Sequence, residues 1–168
     1  MDLHPIFVHF PIAFFILYGA MEIFKFPIFI RQTWWFYTKA VLVVAGSLGS
    51  VVALVTGNLA AEKFRGSARL PLLETHETFA VATAVIFGFL AVCYLLVWIK
   101  KEKEFVIPWL GSNVVFKTVV WIVGSPVSWI LALVGLICVT ITGGLGGMLV
   151  YGPSADPAFA WFYNTFLK

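Results

Sequence analysis

Two of the chain's three histidines lie in one short stretch, Leu3-His4-Pro5-Ile6-Phe7-Val8-His9-Phe10-Pro11, and the third follows another proline in Pro71-Leu72-Leu73-Glu74-Thr75-His76-Glu77. Imidazole ligates transition metals and exchanges protons near neutral pH. Inside an apolar helix it is costly unless something uses its nitrogens, so a histidine there is first of all a functional-site hypothesis. Pro5 and Pro71 each suit the first turn of a helix, where a missing N–H costs nothing. His9 and His76 follow them by about one turn and are expected at similar depth, whereas His4 precedes its proline and is expected at the wet boundary. Pro11 leaves the Phe7 carbonyl without its helical donor, close to His9.

Two histidines opposed in a helical bundle would give one nitrogen to each face of a haem iron. The expected b-type site pairs His9 with His76, lays the flat ligand against Gly143, Gly144 and Gly147, and takes Glu77, Thr75, His4 and the Phe7 carbonyl as candidate partners around the imidazoles. Three histidines allow at most one such haem. Electrons would then enter and leave on one side, or pass to a quinone, a periplasmic redox protein or a partner subunit. A bare metal on His9 and His76 would need completion by His4, or by Glu62 and Glu77. His76-Glu77 does not extend to a zinc-protease motif, because Ala80 stands where the second histidine belongs. Cys93 and Cys138 lie in apolar runs, outside any redox or haem-attachment spacing, and read as small core residues. Two other function classes compete with electron transfer: a non-enzymatic scaffold or anchor for partner proteins, in a homo- or hetero-oligomer, and a small-molecule or ion carrier built on Glu22. The plainer expectation for Glu22 is an ion pair with Lys25, three residues on.

The elements that must position these groups are membrane helices. The chain is 61% hydrophobic and 11% charged with a mean hydropathy of +0.99, which leaves too little polar surface to coat a water-soluble globule. Spans of about 20 residues are predicted at 5–26, 36–61, 71–99 and 126–151, forming one all-α, four-helix membrane domain over 1–168. The stretch 108–124 is too short to cross and is expected to be interfacial or re-entrant. Gly46, Ser47, Gly49 and Ser50 predict close helix approach in the second span. The start Met1-Asp2 lacks the basic region of a signal peptide, so the first helix is expected to be retained. A net charge of +3, spread along several loops, argues against a nucleic-acid partner.

Four spans put the N-terminus, the loop after span two and the C-terminus on one side. That side carries Lys63, Arg65, Arg69 and Lys168, against Lys25, Arg31, Lys39, Lys100, Lys101, Lys103 and Lys117 on the other. The positive-inside rule therefore predicts both termini, and all three histidines, outside the cytoplasm. A weak internal symmetry is also readable. Pro5…His9 opens span one and Pro71…His76 opens span three, while Thr56-Gly57-x-Leu59-Ala60-Ala61 closes span two and Thr142-Gly143-x-Leu145-Gly146-Gly147 falls late in span four. Each half goes in and comes back, so the two helix pairs would be parallel repeats about an axis along the membrane normal.

The His-Pro-x-x-Val-His-Phe-Pro-Ile of His4–Ile12, with the small-residue end of span two and the histidine opening span three, resembles a bacterial membrane family catalogued as domain of unknown function 2231. The resemblance covers most of the chain and implies four spans in a bacterial inner membrane, with no activity attached. The chain departs from that pattern at Thr56-Gly57-Asn58, where an acidic residue is expected, so no carboxylate role carries over there.

Overall fold

The computed structural model describes residues 4–24, 27–67, 69–102 and 114–166, all of them helix or short connection. Four helices are long and apolar enough to cross a membrane: α1 (His4–Ile23), α3 (Thr33–Ala61), α4 (Leu70–Glu102) and α6 (Pro126–Tyr151). At 1.5 Å per residue the shortest is about 30 Å long, matching the hydrocarbon core. Three shorter helices lie among the described residues: α2 (Pro27–Ile30), α5 (Val114–Gly124) and α7 (Pro157–Phe166). The described part of the 108–124 stretch is thus an 11-residue helix. It packs on α4 and α6 with Val119 buried against Cys93 and Val97.

Local chemistry sets several boundaries. The Ser125 hydroxyl accepts from the Val127 N–H at 3.2 Å and Pro126 takes the first turn, which starts α6. Gly152, at φ 92°, ends it with its N–H donating to the Met148 carbonyl, a conformation only glycine adopts cheaply. Arg69 Nη1 donates to the Leu149 carbonyl at 2.6 Å and ties the α3–α4 connection to that same helix end.

α1 and α4 each pack against both α3 and α6, so the four spans form a square with α1 diagonal to α4. The diagonal is bridged by aromatic rings: Phe15 and Phe87 stack with centroids 3.9 Å apart and planes 8° from parallel. Tyr18 meets Phe87 and Tyr94 edge-on. These residues, with Val43, Leu90 and Ala132, make the fully buried centre. The outward faces stay apolar at Leu48, Val51, Val55 and Leu59 of α3 and at Val81, Val85 and Val92 of α4, as lipid contact requires. Cys93 and Cys138 are both buried and free.

The two helix pairs repeat one pattern of contacts, in a register different from the one predicted. His4, Phe15 and Glu22 of α1 precede His76, Phe87 and Tyr94 of α4 by 72 residues, while Lys39, Gly46 and Gly57 of α3 precede Ser128, Gly135 and Gly146 of α6 by 89. Equivalent residues do equivalent things. A Cβ on Gly46 would lie 2.6 Å from the Phe15 ring, and one on Gly135 2.7 Å from the Phe87 ring. A Cβ on Gly57 would lie 3.1 Å from His4 Cε1, and one on Gly146 3.2 Å from His76 Cε1. His4, not His9, is therefore the counterpart of His76, and Gly57 matches Gly146 in place of Gly143. The prolines that suggested the other alignment set where each helix starts, whereas the repeat is set by which ring rests on which glycine. The connection in the second half is seventeen residues longer and includes α5.

Gly135→Val, which drives a branched side chain into the Phe87 ring, is expected to destabilise the detergent-solubilised protein by about 1–3 kcal/mol. Gly88→Ala, where a Cβ meets nothing within 4 Å, should be neutral or stabilising by about 0.5–1 kcal/mol. Thermal or denaturant unfolding followed by Trp fluorescence measures both, and equal effects would contradict the packing assigned to Gly135.

Candidate functional site

Polar side chains concentrate at the two ends of the bundle. His4 and Glu22 lie eighteen residues apart on α1, about 27 Å along the axis.

At one end lie His4 and His76, on diagonal helices. His76 Nδ1 donates to the Thr142 carbonyl at 3.0 Å. An acceptor with no proton forces Nδ1 to carry the hydrogen, which leaves Nε2 as the basic nitrogen. His4 Nδ1 lies 3.0 Å from Thr56 Oγ1. That hydroxyl also lies 3.0 and 3.2 Å from the Val52 and Ala53 carbonyls, to which it can donate. Each imidazole rests on a glycine of the neighbouring helix, His4 on Gly57 and His76 on Gly146.

His9 lies elsewhere. It is exposed, and its Nδ1 donates to the Pro5 carbonyl one turn back, not to the Phe7 carbonyl that Pro11 leaves without a donor. The structure places His4 and His76 at the same end of the bundle, on diagonal helices, and leaves His9 on the outer face of α1. Thr75 directs its hydroxyl to the Pro71 carbonyl, and Glu77 is half-buried, so the hydrogen-bond partners shown for His4 and His76 are Thr56 and the Thr142 carbonyl. Gly147 is covered by the Phe159 ring of α7, to which a Cβ would approach 2.7 Å, while Gly143 and Gly144 face open space. Phe15 and Phe87 each lie eleven residues beyond their histidine, about 16 Å along the helix. Their stack fills the middle of the bundle, and a ligand shared by the histidines belongs at the bundle end. Among the described residues no three His, Cys, Asp or Glu side chains converge.

At the other end, all four spans meet at one carboxylate. Glu22 of α1 is fully buried. Lys39 Nζ of α3 donates to its Oε2 at 2.7 Å, Tyr94 Oη of α4 donates to the same oxygen at 2.9 Å, and Ser128 Oγ of α6 donates to Oε1 at 2.6 Å. The Lys39 ammonium also lies 5.4 Å from the Tyr94 ring centroid. Lys25, the partner expected from helix spacing, lies outside the described residues, and the partner shown is Lys39 on the next span. Sequence reasoning counted Lys39 as a loop charge. Its position six residues inside an apolar helix was the available signal. Tyr94 and Ser128 carried none. Tyr18 Oη, beside this cluster and the Tyr94 ring, is buried and meets hydrogen-bond geometry with no group among the described residues.

Comparison of the chain with family models, with curated proteins and with solved structures returns no match. The functional reading therefore rests on these two clusters.

Removing one member of the buried pair, by Glu22→Gln or Lys39→Met, is expected to cost about 3–5 kcal/mol, because the other charge is left uncompensated. The double variant should recover much of that loss in a double-mutant cycle. Tyr18→Phe removes this buried hydroxyl and should be neutral or stabilising. A marked loss of stability in Tyr18→Phe would mean that the hydroxyl has a partner in the folded protein.

Proposed function

We propose that this multi-pass membrane protein is a small electron-transfer subunit that holds one b-type haem between His4 and His76. The observation that carries the reading is the matched presentation of the two imidazoles. They come from diagonal helices, each rests on a glycine of the neighbouring helix, and each Nδ1 has a hydrogen-bond partner on that helix. A neutral imidazole whose other nitrogen donates to a protein acceptor is the usual state of a histidine ligand.

The donor set fits a group that completes its own equatorial coordination. Two nitrogens suffice for haem, whereas a bare ion would draw on a third or fourth side chain. When bound, haem supplies reversible one-electron chemistry at its iron. His4 and His76 would hold it, with Thr56 and the Thr142 carbonyl as the hydrogen-bond partners of the two rings and the Phe15–Phe87 stack filling the space beyond. A quinone or a periplasmic redox protein is the proposed exchange partner. The basic residues on the opposite side support a periplasmic histidine end, in a bacterial inner membrane, with both termini on that side.

A competing reading, a scaffold or anchor for partner proteins, is favoured by the Glu22 cluster and aromatic stack, which lock the bundle into one arrangement. Absorbance separates the two. Protein purified from haem-replete cells is expected to show a Soret band that shifts on dithionite reduction, to lose it in His4→Ala and in His76→Ala, and to keep it in His9→Ala. A colourless wild-type protein would favour the scaffold, and loss of the band in His9→Ala alone would move the site to the outer face of α1.

A further inference from the structure

We propose that the corner where α5 packs on the end of α4 binds the headgroup of an anionic phospholipid through Lys100, Lys101 and Lys117. The sequence separates these lysines, with Lys117 seventeen residues beyond Lys100, and the fold brings them to one corner. α5 packs along the last turns of α4, with Val119 against Cys93 and Val97. One turn earlier on α5, the Phe116 ring lies beneath the Lys100 ammonium, its centroid 3.9 Å from Nζ, and Lys117 follows Phe116 directly. Lys101 Nζ, from the same last turn of α4, lies 4.2 Å from the ring centroid of Phe36 on α3. This corner is twenty-four residues along α4 from His76, about 36 Å, so the inference does not depend on the haem reading.

The charge here is unbalanced. Lys100, Lys101 and Lys117 are exposed, and none forms an ion pair with a carboxylate among the described residues. Glu102, next to Lys101 in the chain, accepts from the Tyr37 hydroxyl at 2.6 Å. Among the described residues, three ammonium groups thus share the corner with one carboxylate that already has a partner. The surroundings favour a lipid over a free anion. Val114, Val120 and Trp121 lie three or four residues from Lys117, on its face of α5, and all three are exposed and apolar. An ammonium on such a face must reach along its own stem to the headgroup level, where phosphate is the counter-charge at hand. Cation–π attraction holds the Lys100 and Lys101 ammonium groups against their rings, so they are partly ordered before a ligand arrives. An anionic phospholipid would set its phosphate against the lysines and its acyl chains along Val114, Val120 and Trp121. A choline headgroup carries the same phosphate with a cation of its own, which three lysines would repel.

The test titrates the full-length protein in detergent with dioleoylphosphatidylglycerol, dioleoylphosphatidylcholine or inorganic phosphate, followed by native mass spectrometry. The wild type is compared with Lys100→Gln, Lys101→Gln and Lys117→Gln, singly and together, and with Lys63→Gln at the other end of the bundle. The wild type is expected to prefer phosphatidylglycerol. Each single variant at the corner should weaken that binding by about 5-fold and leave phosphatidylcholine binding unchanged, the triple variant should bind both lipids alike, and Lys63→Gln should keep the preference. Equal affinity of the wild type for the two lipids would overturn the proposal, as would a triple variant that retains the preference. Displacement of phosphatidylglycerol by inorganic phosphate at equal concentration would assign the corner to a free anion and overturn the lipid. The three side chains are exposed, so each single variant should unfold at the wild-type temperature, and the single variants decide the matter if the triple variant does not fold.

Discussion

A single carboxylate fixes how the four spans meet. Glu22 contributes two oxygens, and the donors that satisfy them come from α3, α4 and α6. In lipid no water is available to replace a lost partner, so each donor constrains the rotation of its own helix. A turn of any span about its axis by one residue, about 100°, would carry its donor off the carboxylate and leave charge or polarity unmatched. Buried ion pairs add little net stability over well-packed apolar residues, and their best-attested role is to select one register among several of similar energy. Four apolar helices with small residues on several faces could pack in many registers, and the Glu22 cluster distinguishes among them.

The internal repeat gives this cluster its context. Glu22 and Tyr94 occupy equivalent positions on α1 and α4, and Lys39 and Ser128 occupy equivalent positions on α3 and α6. A symmetric arrangement would place two carboxylates and two ammonium groups together in a space that holds one pair. In this chain one half carries the charges and the other half carries neutral hydroxyls that donate to them. At the opposite end both halves keep histidine, and in the middle both keep phenylalanine on glycine. Symmetry is retained where identical rings can face each other and abandoned where identical charges would repel.

The sequence made the span count and the membrane class legible, because length, apolar runs and helix-starting prolines act locally. The bounds of α6 were readable from Ser125-Pro126 and Gly152-Pro153 for the same reason. The facing of the helices was not. Spans that are apolar on every side carry little amphipathic period, so nothing in α1 distinguishes the face of His4 from that of His9. The local rule that joined Glu22 to Lys25 considered one helix, whereas the partner shown lies on the next span. Gly57 and Gly146 were visible as small residues, but that each lies beneath an imidazole is a tertiary fact. Thr56 and the Thr142 carbonyl, hydrogen-bond partners of the two histidines, were beyond reach for the same reason.

The two histidines at one end of the bundle differ in how rigidly each is held. Pro11, buried against Gly49, removes one backbone hydrogen bond from α1 between His4 and Phe15. The turn that carries His4 is therefore coupled to the rest of α1 more weakly than an unbroken helix would allow. No proline separates His76 from Phe87 on α4, and the backbone carbonyl that orients His76 moves only with α6. One histidine is thus a fixed reference, set through continuous helix by the aromatic stack and the Glu22 cluster. The other adjusts about Pro11, with a side-chain hydroxyl and a glycine among its contacts. The spacing of the two imidazoles can therefore change about Pro11 without disturbing the register of the spans.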